Sequence, residues 1–462
     1  MKVVFIGGGS YRTLPIVRAA MATRGVLDGG EVQLLDLNLE RAETVGRLIM
    51  KTPEYRKTGC RVGWTNKANR ALEGADVVSL SMPVGSHSVC RLSDQASRAH
   101  GFHGGDQLSV SGAFRSLTGG RIVLDYARRM EKCCPKAWFV DFANPVAVYS
   151  GMLNNHTQIR ALGICGGFSN HRWDLTRLMG RDAYSEEYAV VAAGVNHLSF
   201  ILRGTYNGED LYRVLGRHLT KTWKPPRITT HPHMAKYIQY GLRKLAEMYH
   251  RLGFIIFSTE GDGMIHLFFD EMMARDNKTY KPASLAQIRA EERSGRKRRQ
   301  EYDRQFHAYL DQDLDDAFWA QSALKNPWFG RSEGDATVLI LKGLAGVAPV
   351  KLVASRTNQG AVKGFKDRTV LEYSMTLTAR GVKPAPDMEV PDPVHGLISS
   401  LATHQTLLGD AVATRDPKVL ADALFAYPLF QNTHQARDLF RALLRIHADE
   451  IDPVFQKAKD YL

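Results

Sequence analysis

Chemistry in this chain begins with Gly7-Gly8-Gly9-Ser10, which follows the apolar run Val3-Val4-Phe5-Ile6 and opens a helical pattern. Small residues there let the backbone approach a pyrophosphate, which the N-terminus of the following helix then stabilises. Gly7, Gly9 and Ser10 are therefore candidate dinucleotide contacts. The third glycine of the usual fingerprint is replaced by Arg12. Asp36 closes the next apolar run, where an acid hydrogen-bonds a ribose 2′-hydroxyl and favours NAD over NADP. Arg41 is an alternative partner for a 2′-phosphate, and a plain tight turn would use the same glycines.

Asp141-Phe142-Ala143-Asn144-Pro145 stops a later apolar run. The Asn144 amide offers both donor and acceptor to a sugar hydroxyl or a nicotinamide ribose, although Asn-Pro is also a common turn. Cys165 ends the run Ile159-Arg160-Ala161-Leu162-Gly163-Ile164, and His197 lies in Gly194-Val195-Asn196-His197. A thiolate and an imidazole at two strand ends can hold a divalent transition metal and leave positions open for substrate oxygens. Their spacing alone fits a buried cysteine and a core histidine better. His231 and His233 form another His pair, in a segment that reads as a loop.

The elements that must position these groups alternate. Strands are expected at Val3–Ile6, Glu31–Leu37, Ala75–Met82, Ala137–Ala143 and Ile159–Cys165, with helices at Pro15–Thr23, Asn38–Lys51 and Arg121–Lys132. Pro15 in a first turn and Asn38 as a cap support two of those helices. This alternation predicts a doubly wound parallel α/β sheet of Rossmann type, with its ligand crevice beyond the strand C-termini. After about residue 200 the pattern changes to longer helices, at Met234–Leu252, Ala308–Leu324 and Leu397–Asp410, around a β-rich segment Val350–Thr378. A mixed α+β second lobe follows, as in lactate and malate dehydrogenases. The division expected is residues 1–195 for the NAD-binding domain and 196–462 for the substrate, metal and oligomerisation domain.

Composition limits the classes further. The chain has 462 residues, 44% hydrophobic and 24% charged, which is ordinary globular usage. No apolar run is long enough to span a membrane, and the first apolar run reads as a strand rather than a signal-peptide core. Lys plus Arg number 61 against 48 Asp plus Glu, a net charge of +13. The densest basic stretch, Arg293-Ser294-Gly295-Arg296-Lys297-Arg298-Arg299, lacks interleaved aromatics and reads as a solvated surface segment. Five cysteines without zinc-site spacing fit a reduced, cytoplasmic chain.

The order of glycine loop, ribose acid, Asn-Pro, Cys and Asn-His resembles the NAD- and metal-dependent glycosidases of glycoside hydrolase family four, which include 6-phospho-glucosidases, alpha-glucosidases and alpha-galacturonidases. The resemblance continues through Gly261-Asp262, Thr357-Asn358-Gln359-Gly360 and Gly381-Val382-Lys383-Pro384. It implies that NAD⁺ oxidises the sugar C3 hydroxyl, a base removes the acidified C2 proton, and the aglycone leaves from C1. Water then adds and NADH reduces C3 again. It also implies a metal, Mn²⁺ in the family's manner, held by Cys165 and His197 on the sugar C2 and C3 oxygens. Asp262 matches a position that serves as or assists the base. A tyrosine base in part of the family falls near Tyr240, with Tyr237 and Tyr249 as neighbours. Asn144, Asn196 and Arg115 are candidate substrate contacts, Arg115 for an anionic substituent.

The chain departs from the family where several members place Asp, Asn or His after the metal cysteine. Here Gly166, Gly167 and Phe168 follow, and neither His171 nor Asp174 has a matched role. Two other classes share parts of the pattern. One is a net NAD-dependent sugar or hydroxyacid dehydrogenase that releases NADH. The other is an NAD-sensing or nucleic-acid-binding Rossmann protein, which would have no use for a metal pair. The expected partner is a small glycoside rather than nucleic acid or membrane, and the expected state a homodimer or homotetramer.

Overall fold

The computed structural model describes residues 1–257, 261–428 and 433–461, apart from the side chains of 167–169, 276, 277, 279, 323, 324 and 433. Twelve strands form one mixed sheet among them. Strands β1 (Lys2–Ile6), β2 (Glu31–Leu35), β3 (Arg61–Thr65), β4 (Val77–Leu80), β5 (Trp138–Asp141) and β6 (Arg160–Gly163) are parallel, in the order β3-β2-β1-β4-β5-β6. This is the strand order of doubly wound dinucleotide-binding sheets. Strands β4 and β5 are buried at every residue, as expected for parallel strands covered by helices on both faces.

The remaining strands are β7 (Tyr188–Val195), β8 (Leu198–Tyr206), β9 (Glu209–Asp210), β10 (Val350–Thr357), β11 (Val370–Thr378) and β12 (Gly381–Pro384). They extend the sheet antiparallel from β6 in the order β10-β11-β7-β8-β9, with β12 on β11. The sheet is continuous across residues 195 and 196, which lie on the β7–β8 hairpin. One row of paired residues, Gly163–Ser355–Glu372–Gly194, crosses from β6 to β7.

The helix Leu39–Met50 starts at Asn38, whose side chain accepts from the Arg41 N–H at 3.0 Å. Two helices differ from expectation. Val110–Cys133 starts a full eleven residues before Arg121, capped by Ser109, because Gly119 and Gly120 sit inside it. These glycines look like a break in sequence but let Tyr149 and Val412 pack against the helix. The stretch expected as a helix from Ala308 to Leu324 is two elements. One helix ends at Ala308, and the next, Asp316–Lys325, begins where Asp315 accepts from the Phe318 N–H at 2.7 Å. The basic run 293–299 lies within the helix Leu285–Ala308, and Arg293, Arg296, Lys297, Arg298 and Arg299 are exposed on it. Among the described residues no helix is long and apolar enough to cross a membrane.

Two buried histidines tie the C-terminal helices into the core. His404 of the helix Asp392–Thr414 donates from Nδ1 to the Ala423 carbonyl at 2.7 Å. His447 Nε2 lies 3.1 Å from Ser93 Oγ. Burial pushes both imidazoles down to about 4, with Arg115 adding to the effect at His447. The fold thus needs them neutral, while the unfolded chain protonates them from about pH 6.5 downward. Their contribution is full above that pH and is lost as pH falls from about 6.5 to about 4, each by up to about 3 kcal/mol. Urea midpoints measured across that range should fall, and His404→Gln should flatten the decline.

Candidate active site

The parallel register sets Leu35 and Leu80 beside Ile6, Asp141 beside Leu80, and Gly163 beside Asp141. The loops that follow β1, β2, β4, β5 and β6 therefore open on one edge of the sheet. At β1 the chain turns through Gly7 at φ +80°, where a methyl group would lie 2.2 Å from the Ser81 carbonyl oxygen. Only glycine fits that conformation and approach. Asp36 is fixed by the N–H groups of Gly9 at 2.9 Å and Asn38 at 2.8 Å. Ser10 occupies the bend before the first helix. Arg41 is bound from Nε and Nη2 by the Asp303 carboxylate at 2.9 and 2.6 Å, and Tyr11 donates to the same carboxylate at 2.5 Å. Its charge is thus already matched within the fold.

Two residues past β6, Cys165 Sγ lies 3.1 Å from His197 Nε2. Asn196 and His197 are the two turn residues of the β7–β8 hairpin, since Val195 pairs with Leu198. His197 holds φ +69°, a left-handed conformation that costs a non-glycine residue roughly 1 kcal/mol. The row through Glu372 explains how the pair meets, because Cys165 and His197 stand only two and three residues beyond its ends. Glu372, buried on β11, accepts from Asn196 Nδ2 at 2.7 Å and Ser199 Oγ at 2.6 Å and so fixes the turn from below. Asn196 Oδ1 is buried and has no hydrogen-bond partner among the described residues.

The other face of His197 meets the short helix Gly261–Met264. A methyl group on Gly263 would lie 1.8 Å from the His197 carbonyl oxygen, so that close approach requires glycine. It delivers the Asp262 carboxylate to His197 Nδ1. The second Asp262 oxygen accepts from the Gln107 and Leu108 N–H groups, both at 3.2 Å. Burial alone would raise this carboxyl, but His197, His103 and the Leu108 N–H outweigh it and hold it well below the usual carboxylate range. An ionised Asp262 keeps the proton on Nδ1 and leaves the Nε2 lone pair facing Cys165. That is the arrangement of a carboxylate–histidine–metal triad.

Asn144, next to a cis bond to Pro145, donates from Nδ2 to Asp106 at 2.7 Å and accepts from Gln107 Nε2 at 2.5 Å. Gln107 thus links Asn144 to Asp262. The other expected residues lie apart. Arg115 donates to both Asp94 oxygens at 2.9 and 2.8 Å. The Tyr240 ring sits under the Arg275 guanidinium at 3.7 Å. Burial and Glu271 raise its hydroxyl against Lys244 and Arg275. The Tyr237 hydroxyl lies 3.3 Å from where a methyl on Gly261 would stand. Tyr249 stacks on Tyr212, and His171 on Phe257. His231 packs edge-on against Trp173 and faces Arg177, and His233 is exposed. Glu260 lies outside the described residues.

The donors can hold a divalent transition metal. Cys165 and His197 supply sulfur and nitrogen, and among the described residues no group of three or more Cys, His, Asp or Glu encloses a metal position. A two-ligand site leaves the remaining positions to substrate oxygens. Asp106, Gln107, Glu372 and Asp303 were not among the residues expected from sequence. Glu372 left a signal, an acid inside the apolar run Val370–Thr378.

Models of two domains match the chain, a family 4 glycosyl hydrolase over residues 2–180 and a family 4 glycosyl hydrolase C-terminal domain over residues 192–430. The chain belongs to the family 4 glycosyl hydrolases. It is 26% identical to an alpha-galactosidase of Bacillus subtilis (strain 168), over 51% of this chain and 54% of that protein. It is 22% identical to a probable 6-phospho-beta-glucosidase of the same organism, over 99% of this chain and 98% of that protein. Its fold is that of a 6-phospho-alpha-glucosidase from gut microorganisms, solved in complex with NAD and Mn²⁺. That likeness has a TM-score of 0.75 at 18% identity and covers 97% of this chain and 98% of the other. The family's reaction is hydrolysis of a glycosidic bond, so displacement of His197 should be read in glycosidase activity. Gly263→Ala should cost about 100-fold or more in kcat/KM through misplacement of roughly 1 Å, with circular dichroism unchanged.

Proposed function

We propose that this family 4 glycosyl hydrolase cleaves its glycoside by transient oxidation at sugar C3, with NAD on the Gly7–Ser10 loop and Asp36, and Mn²⁺ or a similar divalent metal on Cys165 and His197. The observation that carries this is the line Cys165–His197–Asp262, joined through Gln107 to Asn144. When bound, NAD supplies the oxidation and later re-reduction of C3, and the metal draws electron density from the C2 and C3 oxygens. Asp262 is the positioning residue. It fixes the His197 tautomer and orientation and so keeps Nε2 and Cys165 Sγ aimed at one point. Asn144 and Asn196 orient the sugar, and the unpartnered buried Oδ1 of Asn196 supports a hydroxyl donor there. Tyr237, whose hydroxyl stands beside Gly261, is with Tyr240 a candidate to take the C2 proton.

The chain works, in this reading, as a cytoplasmic homodimer or homotetramer on a small glycoside, with the cofactor on residues 1–195 and the metal and sugar groups drawn from both 1–195 and 196–462. Five free cysteines support a reducing compartment, which a thiolate ligand also requires. The relatives' names leave neutral, 6-phosphorylated and uronic sugars as the first classes to try.

The deciding assay is turnover of α- and β-linked neutral, 6-phosphorylated and uronic glycosides with NAD⁺, Mn²⁺ and a thiol reductant in D₂O. Deuterium at C2 of the released sugar without accumulating NADH is the expected result. NADH accumulation without aglycone release would establish the dehydrogenase instead. Cys165→Ser should abolish metal-dependent turnover while NAD titrates normally, and wild-type turnover by that variant would sink the metal assignment. Asp262→Asn should weaken Mn²⁺ binding by roughly 10- to 100-fold, read by metal titration.

A further inference from the structure

We propose that Asp106 is the residue that protonates the departing glycosidic oxygen. The inference rests on the oxidation–elimination reading above. Breaking the C1–O bond to a poor leaving group needs a proton on that oxygen. The position after Cys165 cannot give it, since Gly166 has no side chain and a methyl group there would meet nothing within 4 Å.

The carboxylates around the site can be sorted by what already binds them. Asp262 is buried, faces His197 and accepts two backbone N–H groups, so both oxygens are committed as acceptors. Glu372 is buried and bridges Asn196 and Ser199. Burial raises the Asp94 carboxyl, but both of its oxygens are held by Arg115. Asp141 has Oδ1 on the Ala143 N–H and no partner on Oδ2 among the described residues, but it is fully buried and so shut off from a substrate oxygen. Asp106 differs from all four. It is partly exposed, its Oδ2 meets only the neutral Asn144 amide at 2.7 Å, and its Oδ1 has no hydrogen-bond partner among the described residues. Its position is nonetheless fixed. Gln107 next to it is clamped through its backbone to Asp262 and through its amide to Asn144. Gly105 before it abuts both Asp262 and His103.

The step balances as follows. The pair of the C2–H bond becomes the C1=C2 bond once the base has taken the C2 proton. The pair of the C1–O bond leaves on the glycosidic oxygen, and the Asp106 O–H proton passes to it, releasing the alcohol. In the return half, water oxygen bonds to C1, one water proton passes to the Asp106 carboxylate, and C2 regains its proton from the base. The oxidation and re-reduction of C3 belong to the bound nicotinamide.

The test compares wild-type enzyme with Asp106→Asn on paired 4-nitrophenyl and methyl glycosides of each sugar that the wild type accepts, with NAD⁺ and Mn²⁺. Exchange of the C2 proton of the free sugar in D₂O is followed in parallel. The variant should lose about 100-fold or more in kcat on the methyl glycoside, in the range set by general acid catalysis. Its nitrophenyl rate and its C2 exchange should stay close to wild type. Equal loss on both glycosides, loss of C2 exchange, or no loss on the methyl glycoside overturns the proposal. So does that leaving-group split appearing in Asp94→Asn but not in Asp106→Asn. Wild-type enzyme that exchanges no C2 proton on any sugar overturns the underlying reading itself, a result distinct from the others.

Discussion

Both nitrogens of the His197 ring are committed, one to Cys165 and one to Asp262, and the rest of the site is arranged to keep that ring where it is. The ring stands on a left-handed turn residue, which the chain tolerates only because neighbours over-determine it. Glu372 holds the turn from the sheet, and the Gly263 backbone presses on it from the other side. Asp262 is itself a buried charge, and such a charge is strongly unfavourable unless paired and hydrogen-bonded. It has the imidazole on one oxygen and two peptide N–H groups on the other. Removing any of these partners leaves the carboxylate unmatched, which is why the loop 105–108 and the hairpin depend on each other.

Two kinds of constraint build the crevice. The cofactor side is local. The glycine turn follows β1, and Asp36 lies directly beyond β2, the neighbouring parallel strand, so a few backbone hydrogen bonds place it. The metal side is non-local. Cys165 and His197 meet only because β10 and β11 are inserted between β6 and β7, carrying one row of pairs through Gly163, Ser355, Glu372 and Gly194. The glycine turn and Asp36 are thus placed within the first half alone, while the meeting of Cys165 and His197 needs strands from residue 350 onward.

That distinction also explains what could be read in the sequence. The parallel half, the Asn38 cap, the glycine turn and Asp36 follow from periodicity and turn chemistry, which act over a few residues. Cys165 and His197 were legible by type and by the order of motifs, not by spacing. Asp106 and Gln107 sit in an irregular loop between two helices, where no periodicity points to them. Asp303 lies on an otherwise basic helix, and only the tertiary fold sets it against Arg41. Tyr240 and Tyr237 are three residues apart on one helix, so sequence cannot separate a hydroxyl beside Gly261 from one beneath Arg275. The helix Val110–Cys133 reads shorter in sequence than it is, because two glycines that admit close packing look like a stop.

Net charge is the feature most easily misread. A charge of +13 invites a polyanion as partner, yet the arginines that the motifs single out are matched within the fold. Arg41 is paired with Asp303, Arg115 with Asp94, and Arg12 with Asp335. The unmatched basic charge is concentrated on solvent-facing residues such as those of 293–299. Exposed charges act through water and are screened within roughly 8 Å at physiological salt, so they raise the encounter rate of an anionic ligand without fixing its pose. Recognition in the crevice has to come from desolvated neutral donors and acceptors, the amides of Asn144, Asn196 and Gln107, together with whatever the Cys165–His197 pair holds. A sugar hydroxyl satisfies such groups directly, whereas a phosphate or carboxylate placed against them would lack a cation.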